Sequence, residues 1–450
     1  VSGPSQRRLF GTDGVRGAAG EFLSAELALA LARAAVSTAP AARPRVLVIR
    51  DTRESGEMLE SAVAAGVAAA GGDALLGGVL PTPAAPLLIR RYGFDLGVVL
   101  SASHNPYADN GVKFFGPDGD KLRDEAELEI ERRLEAPPTA RPPARIGRVS
   151  RLHGTLEDYE RELEVRFRGL DLAGRRIALD CAHGATHRAA PEIFRRLGAE
   201  VSVLAAAPDG RNINAGCGST HIEALAQAVR RGGHDLGFAF DGDGDRVLAA
   251  DRTGATVDGD ELIALAALHL RDAGRLPGDG VAVTVMTNYG FHTAMERAGI
   301  AVATTAVGDR YVLEELRARG WSLGGEQSGH IIELGFAPSG DGIASALLVL
   351  EALDGADLAE RDAMAKLPQR LVNVRVSARG ALAQAGEVLE AIEREDESLA
   401  GRGRVLVRES GTEPLVRVMV EAPEREEADA ACARVVAAVE ARLGTPPNRG

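Results

Sequence analysis

A phrase used three times limits what this chain can fold into. Phe94-Asp-Leu-Gly-Val-Val-Leu100 opens onto Ser101, His234-Asp-Leu-Gly-Phe-Ala-Phe240 opens onto Asp241, and Trp321-Ser-Leu-Gly-Gly325 opens onto Glu326. Apolar runs this short read as buried strands. The same order of signals lies ahead of each. Strand Val46 to Ile49 ends in Asp51-Thr52-Arg53, an Ala-rich helix runs to Gly71-Gly72, and a strand around Leu75 follows. Strand Ile177 to Leu179 ends in Asp180, a helix from Ala190 stops at Gly198, and strand Val201 to Leu204 follows. Strand Val281 to Val285 ends near Asn288, a helix through Met295 stops at Gly299, and strand Ala301 to Ala303 follows. Alternation of this kind predicts α/β units. Three of them, each ending a strand in a polar loop, predict three loops meeting at one cleft.

The rest of the chain frames these units. A Gly-punctuated opening, Phe10-Gly-Thr-Asp-Gly-Val-Arg16-Gly17, precedes an amphipathic helix over Ser24 to Ala35 with Ser24 as its N-cap. Ala136-Pro-Pro-Thr-Ala-Arg-Pro-Pro-Ala144 reads as an extended linker. After Pro368 the pattern changes: strand Val372 to Val376, a helix near Ala385 to Glu395, strands Arg404 to Val407 and Val416 to Glu421, and a helix over Glu424 to Leu443. The expected fold is therefore α/β, with three similar domains around a cleft (1–150, 151–254, 255–368) and a smaller α+β domain (369–450). Thr445 to Gly450 reads as a tail, and the residues before Arg8 as an extension without function.

Composition removes several classes of function. A formal net charge of −13 speaks against nucleic acid or an anionic membrane as partner, so an anionic substrate would need a local basic pocket. Cys181, Cys217 and Cys432 have no paired spacing, the pattern of a reduced, cytoplasmic protein. The start carries Arg7 and Arg8 and no apolar signal core, and Pro81, Pro83 and Pro86 interrupt the Ala-rich stretch that could be mistaken for a membrane span.

Four stretches carry chemistry. In Ser101-Ala-Ser-His-Asn-Pro, Ser103 sits on a turn at a strand end, with His104 and Lys113 close enough in sequence to assist a serine that is weak on its own. Alone, such a tetrapeptide is better read as a capped loop. Asp241-Gly-Asp-Gly-Asp-Arg246 places three carboxylates at alternate positions, with glycines that let the backbone curl until their oxygens converge. That suits a hard divalent cation such as Mg²⁺; an EF-hand would need Glu where Arg252 stands. Gly324-Gly-Glu-Gln-Ser-Gly-His330 offers Glu326 and Ser328 to sugar hydroxyls, although capping explains the pattern nearly as well. Arg408-Glu-Ser-Gly-Thr-Glu-Pro414, with Arg417 beyond, has the composition of a phosphate cradle, although a Ser-Gly-Thr turn between strands explains it as well. Asp309-Arg310 after Gly308 adds a charged turn. His183 and His187 stand four apart but flank Gly184 and lack a third ligand, so loop and helix-start roles are expected; Cys217 is expected to be a packed loop thiol.

Taken in order over nearly the whole chain, these motifs resemble the α-D-phosphohexomutase superfamily. The resemblance implies four domains around a central cleft, and an isomerase that moves a phosphoryl group between O6 and O1 of a hexose phosphate. It implies that Ser103 is the phosphorylated residue, and that Asp241, Asp243 and Asp245 hold Mg²⁺ together with a phosphoserine oxygen. Arg246, Lys113, His104 and Arg16 would surround the transferring group. Glu326 and Ser328 would read the sugar, with Gly308, Asp309 and Arg310 beside them, and Arg408, Ser410, Gly411, Thr412 and Arg417 would hold the second phosphate. Lys113 and His330 are the proton-transfer candidates, Lys113 because crowding by Arg16 and Arg246 would depress its pKa. His183 and the Pro338-Ser339 pair depart from the superfamily's usual wording. Gln327 and the opening loop favour an amino sugar, so a hexosamine phosphate is the expected partner, with glucosamine or glucose 1,6-bisphosphate as activator and a homodimer as assembly. Mannose and glucose phosphates are the alternative substrates; a silent sensor and a metal phosphatase are alternative classes.

Overall fold

The repeated phrase turns out to be the central strand of three sheets built on one plan. The computed structural model describes residues 9–11, 13–135, 145–378, 380–399, 401–409 and 414–444. The linker 136–144, the tail 445–450 and Ser410, Gly411 and Thr412 lie outside the described residues. The chain forms two compact units, one of residues 1–286 and 300–361, the other of 287–299 and 362–450.

In the larger unit the first sheet takes β1 (Val15–Ala18), α1 (Ala25–Thr38), β2 (Arg45–Arg50), α2 (Gly56–Ala69), β3 (Asp73–Val79), α3 (Ala84–Tyr92), β4 (Leu96–Leu100), β5 (Asp109–Phe115), α4 (Asp124–Leu134) and β6 (Val149–Arg151). Its order is β1-β5-β4-β2-β3-β6. Ser24 caps α1 by accepting the Leu27 N–H, as its place before the apolar periodicity predicts. All five residues of β4 are buried, which is why it reads as an unbroken apolar run. Every second one, Leu96, Val98 and Leu100, joins a core with Leu31, Val63 and Val67, each such side chain contributing about 1.5–3 kcal/mol by burial.

The second sheet follows α5 (Thr155–Arg166) and contains β7 (Arg176–Asp180), α6 (Ala189–Arg196), β8 (Glu200–Leu204), α7 (Glu223–Gly232), β9 (Leu236–Phe240), β10 (Val247–Asp251) and β11 (Thr256–Val257), ordered β11-β10-β9-β7-β8. The third follows α8 (Gly259–Asp272), whose start is a capping box of Asp258 and Glu261. It holds β12 (Gly280–Thr284), then, beyond α9 (Tyr289–Arg297) of the other unit, β13 (Ala301–Thr305), α10 (Asp309–Arg319), β14 (Leu323–Gly325) and β15 (Ile331–Glu333). Its order is β13-β12-β14-β15, and α11 (Gly342–Leu353) follows.

A return strand completes each repeat. β5 runs antiparallel to β4, β10 to β9 and β15 to β14. The polar loops after Leu100, Phe240 and Gly325 are thus hairpin connections at equivalent places. The phrases make the strands entering them visible in sequence; the strands leaving them carry charged or small residues and do not announce themselves.

In the smaller unit, β16 (Gln369–Arg375), α12 (Gly386–Leu399), β17 (Arg404–Glu409), β18 (Leu415–Glu421) and α13 (Arg425–Leu443) form an antiparallel sheet ordered β16-β18-β17, with the helices on a core of Val374, Val416, Val418, Val435 and Val439. The α+β expectation holds. Within this unit the fully buried Glu421 is held by Arg404 at 2.7 Å and by the Tyr289 N–H at 2.9 Å. Cys181, Cys217 and Cys432 are free and buried. Among the described residues no helix is long and apolar enough to cross a membrane.

Candidate active site

Ser103 is held in a left-handed backbone conformation with φ of 52°. For a non-glycine residue that costs of order 1–3 kcal/mol unless the surroundings impose it. They do. Its N–H donates to Ser101 Oγ at 2.9 Å, and Ser101 in turn donates to Asp51 Oδ2 at 2.6 Å. Arg53, fully buried and paired with Asp51 at 2.8 Å, donates to the carbonyls of Ser103, Asn105 and Asp109, each at 2.9 Å, and to that of Pro106. Asn214 of the second α/β layer donates to the Ser103 carbonyl at 2.9 Å. A buried cation with its carbonyls thus fixes the turn from below and leaves the hydroxyl free to work.

That hydroxyl donates to Asp241 Oδ2 at 2.5 Å, with His104 Nδ1 3.4 Å away. Asp241, Asp243 and Asp245 are all buried, and ligand oxygens of the three lie within 4.8 Å of one another. The glycines between them have separate reasons. A Cβ on Gly242 would sit 2.6 Å from the Ser103 carbonyl, so only glycine lets the carboxylate loop approach the serine loop this closely. Gly244 has a φ of 74°, where a side chain is strained.

Three carboxylates buried together do not behave alike. Burial and its two neighbours push Asp241 well up. Burial works against the charge on Asp243 too, but Lys113 and the Thr82 hydroxyl, at 2.8 and 2.7 Å, hold it down. Burial is likewise outweighed at Asp245, which His330, Lys113 and Arg246 hold well below the usual carboxylate range. Asp243 Oδ1 and Asp245 Oδ1 are buried with no hydrogen-bond partner. Orphaned oxygens on a crowded acidic triad fit a divalent cation, which would satisfy them and ionise Asp241.

Cations and two imidazoles surround the triad. Lys113 is 1% exposed, 2.8 Å from Asp243 and 3.0 Å from Asp13. Its pKa is lowered as expected, but for a different reason: burial leads, Arg16 adds to it, and Asp243 opposes it. Burial also pushes His104 down, with Arg246 and Arg16 adding to the effect, which keeps its ring neutral near pH 7. The buried Nε atoms of Arg16 and Arg246 have no hydrogen-bond partner, although Arg246 Nε lies 3.8 Å from Asp245 Oδ1, an arrangement open to an anion. His330 is buried with Nδ1 3.6 Å from Asp245 and Nε2 3.7 Å from Asp309. Burial alone would lower its pKa, but these carboxylates raise it. Its Nε2 accepts the Gly340 N–H at 3.1 Å.

On the third hairpin, Glu326 accepts the Gly308 N–H at 3.1 Å and Ser328 Oγ is buried without a partner. Asp309 binds Lys121 at 2.6 Å. The Arg310 guanidinium lies against Asp124, 3.5 Å from Glu127 and 3.2 Å from the Leu122 carbonyl, so it ties α10 to α4. In the smaller unit Arg408 and Arg417 are direct cross-strand partners on β17 and β18. Like charges face to face are destabilising without an anion between them, and burial with Arg417 lowers the Arg408 pKa. His183 lies on a loop with φ of 48°, and His187 ends a short turn of helix before α6. Burial pushes the Cys217 thiol up to about 11, that of a packed thiol.

Asp13, Thr82, Lys121 and Asn214 carried no chemical role in the sequence reading, nor did Asp51, Arg53 and Ser101 beneath Ser103. Asp13 stood in a quoted motif and Thr82 between two prolines, but nothing local says that either meets Lys113 or Asp243.

Comparison with known proteins gives the arrangement its family. Models of phosphoglucomutase/phosphomannomutase match in chain order: alpha/beta/alpha domain I over residues 7–141, domain II over 157–254, domain III over 258–371 and the C-terminal domain over 371–438. A phosphoglucosamine mutase of Moorella thermoacetica is 51% identical over 428 residues, covering 93% of this chain and 96% of the relative. One from Streptomyces griseus is 50% identical over 451 residues, covering 97% and 100%. The chain belongs to the phosphoglucosamine mutase family. It is an isomerase of the phosphohexomutase superfamily. A phosphoglucomutase/phosphomannomutase family protein of Burkholderia thailandensis shares the fold at a TM-score of 0.80 and 23% identity, covering 96% of this chain and 97% of its own. An N-acetylphosphoglucosamine mutase of Aspergillus fumigatus, solved with GlcNAc-6P and magnesium, does so at 0.69 and 20%, covering 98% and 97%.

Proposed function

We propose that the chain interconverts glucosamine 6-phosphate and glucosamine 1-phosphate, with Ser103 as phosphoryl carrier and a 1,6-bisphosphate as intermediate. The observation that carries this reading is the Ser103 hydroxyl 2.5 Å from Asp241, on the rim of a buried carboxylate triad, in a chain about half identical to phosphoglucosamine mutases.

Starting from phospho-Ser103, O1 of glucosamine 6-phosphate attacks phosphorus and the P–Oγ bond breaks. The O1 proton leaves to a base, the departing Oγ takes a proton, and the product is the 1,6-bisphosphate over a free serine. After the sugar turns over, Ser103 Oγ gives up its proton as it attacks the 6-phosphoryl group, the P–O6 bond breaks, O6 takes a proton, and glucosamine 1-phosphate departs. Such transfer depends on positioning and charge neutralisation. A divalent cation held by Asp241, Asp243 and Asp245, for which Mg²⁺ is the hard-oxygen choice, supplies part of that neutralisation when bound. Arg16 and Arg246 receive the transferring oxygens, and neutral His104 borders Ser103. Lys113 and His330, facing Asp243 and Asp245 respectively, are the proton-transfer candidates. Glu326 and Ser328 read sugar hydroxyls, and Arg408 and Arg417 form an anion-holding pair in the smaller unit. A glucosamine or glucose 1,6-bisphosphate would charge a bare Ser103 by the second step itself, as an activator. The reduced, buried cysteines support a cytoplasmic setting.

Parallel turnover measurements on glucosamine, mannose and glucose 6-phosphates test the substrate. The reading expects the amino sugar to give the highest kcat/KM; preference for mannose or glucose phosphate would overturn it.

A further inference from the structure

An alternating ring of charges runs around the site. Asp243 meets Lys113 at 2.8 Å, Lys113 meets Asp13 at 3.0 Å, and Asp13 meets Lys121. Lys121 meets Asp309 at 2.6 Å, Asp309 faces His330 Nε2 at 3.7 Å, and His330 Nδ1 faces Asp245 at 3.6 Å. The ring joins the opening loop, β5, the start of α10 and the third hairpin to both ends of the carboxylate triad. Lys121 is the one member that bridges the first and third α/β layers. Its ammonium divides between Asp13 Oδ1 and Asp309 Oδ2, while Asp13 Oδ2 is left to Lys113 and Arg16.

We propose that Lys121 is a positioning residue for phosphoryl transfer: by joining Asp13 to Asp309 it sets Lys113 and His330 on opposite sides of the triad. Without its ammonium, Asp13 and Asp309 lose the cation they share. Asp309 then draws His330 Nε2, 3.7 Å away, off the Gly340 amide, and Asp13 pulls harder on Lys113. The fold does not depend on the bridge. Farther out, the same two segments are tied by Arg317 to Asp120 at 2.5 Å and by Arg310 to Asp124 and the Leu122 carbonyl. Lys121 is the inner tie, and it ends on the groups that flank the chemistry.

This inference rests on the mutase reading. Steady-state kinetics on the full chain with glucosamine 6-phosphate, for Lys121→Met, Lys121→Arg and Arg317→Gln, tests it. A misplacement of this kind costs about 100-fold in rate. Lys121→Met is expected to lower kcat by about that much with KM within about threefold. Lys121→Arg, which keeps the cation, recovers most of the loss. Arg317→Gln, which cuts an outer tie, leaves kcat unchanged and matches Lys121→Met in melting temperature. Near-normal kcat in Lys121→Met, no recovery in Lys121→Arg, or a loss that follows a fall in melting temperature would each overturn the positioning role. Wild-type protein that leaves glucosamine 6-phosphate unconverted would instead count against the mutase reading.

Discussion

Replacing Asp341 with Asn should make the protein more stable at neutral pH, by an amount the structure sets. Asp341 caps α11 by accepting the Ala344 N–H at 2.9 Å, and accepts the buried Tyr159 hydroxyl at 3.0 Å. It is 3% exposed, and among its shifting influences there is burial but no cation. Burial raises its carboxyl from 3.8 to about 6, against the pull of the hydrogen bonds. A folded-state pKa above the unfolded one means that the native state binds the extra proton. Its contribution is therefore fully present below 3.8 and is lost as pH rises through about 6. At 1.36 kcal/mol per pH unit the change is about 3 kcal/mol. Asparagine keeps the cap and the size and cannot ionise. The stability of Asp341→Asn minus that of wild type should thus climb by about 2 kcal/mol of that total between pH 4 and pH 7. Urea unfolding followed by fluorescence measures it well, because the single Trp, Trp321, lies in the same α/β layer, packed on Val312 and Ile332. Taking the difference cancels carboxylates such as Asp245 that are held down and slope the other way. A flat difference, or one that falls with pH, would refute the reasoning.

Three further outcomes follow from the site. Lys113→Arg keeps the charge beside Asp243 but cannot release a proton; a loss of about 10²–10⁴-fold in kcat is expected if Lys113 transfers the proton, and near-normal turnover would reduce it to a phosphate ligand. Asp243→Asn should weaken Mg²⁺ binding, read directly by calorimetry, and lower kcat far more than it raises KM; unchanged metal affinity would contradict the triad's role. Arg53→Met removes the guanidinium from beneath Ser103 and strands Asp51 and several carbonyls, so destabilisation of about 3–5 kcal/mol is expected in chemical unfolding, and a change below 1 kcal/mol would contradict the view that this turn is held from below.

How much of this was legible in the sequence follows from how local each feature is. The strands entering the hairpins, the Ser24 cap and the Asp241 to Asp245 triad lie in contiguous stretches, and periodicity or spacing exposes them. Ser103 could be placed at a strand end but not in its left-handed conformation, because Arg53 and Asn214, which impose it, stand 50 and 111 residues away. Lys113 was expected to be crowded by Arg16 and Arg246; Arg16 does add to the lowering of its pKa, but its nearest partners are two carboxylates, Asp243 and Asp13, both remote from it in the chain. Arg310 stands in a motif that suggests substrate, yet its guanidinium is engaged with α4. Lys121 follows Asp120 in a turn with no motif, and its importance appears only when two α/β layers are brought together. Contacts across sheets depend on register and on the return strands, and those carry the weakest local signal.

The central claim is that Ser103 passes a phosphoryl group to and from a hexosamine phosphate. Protein carrying radiolabelled phosphate on Ser103 is mixed with unlabelled glucosamine 6-phosphate in a single turnover, and the label is followed by chromatography. The account predicts that label leaves Ser103 and appears in glucosamine 1,6-bisphosphate and glucosamine monophosphate, with Ser103→Ala protein taking up none. Label that stays on the protein, or is released only as inorganic phosphate, would contradict it.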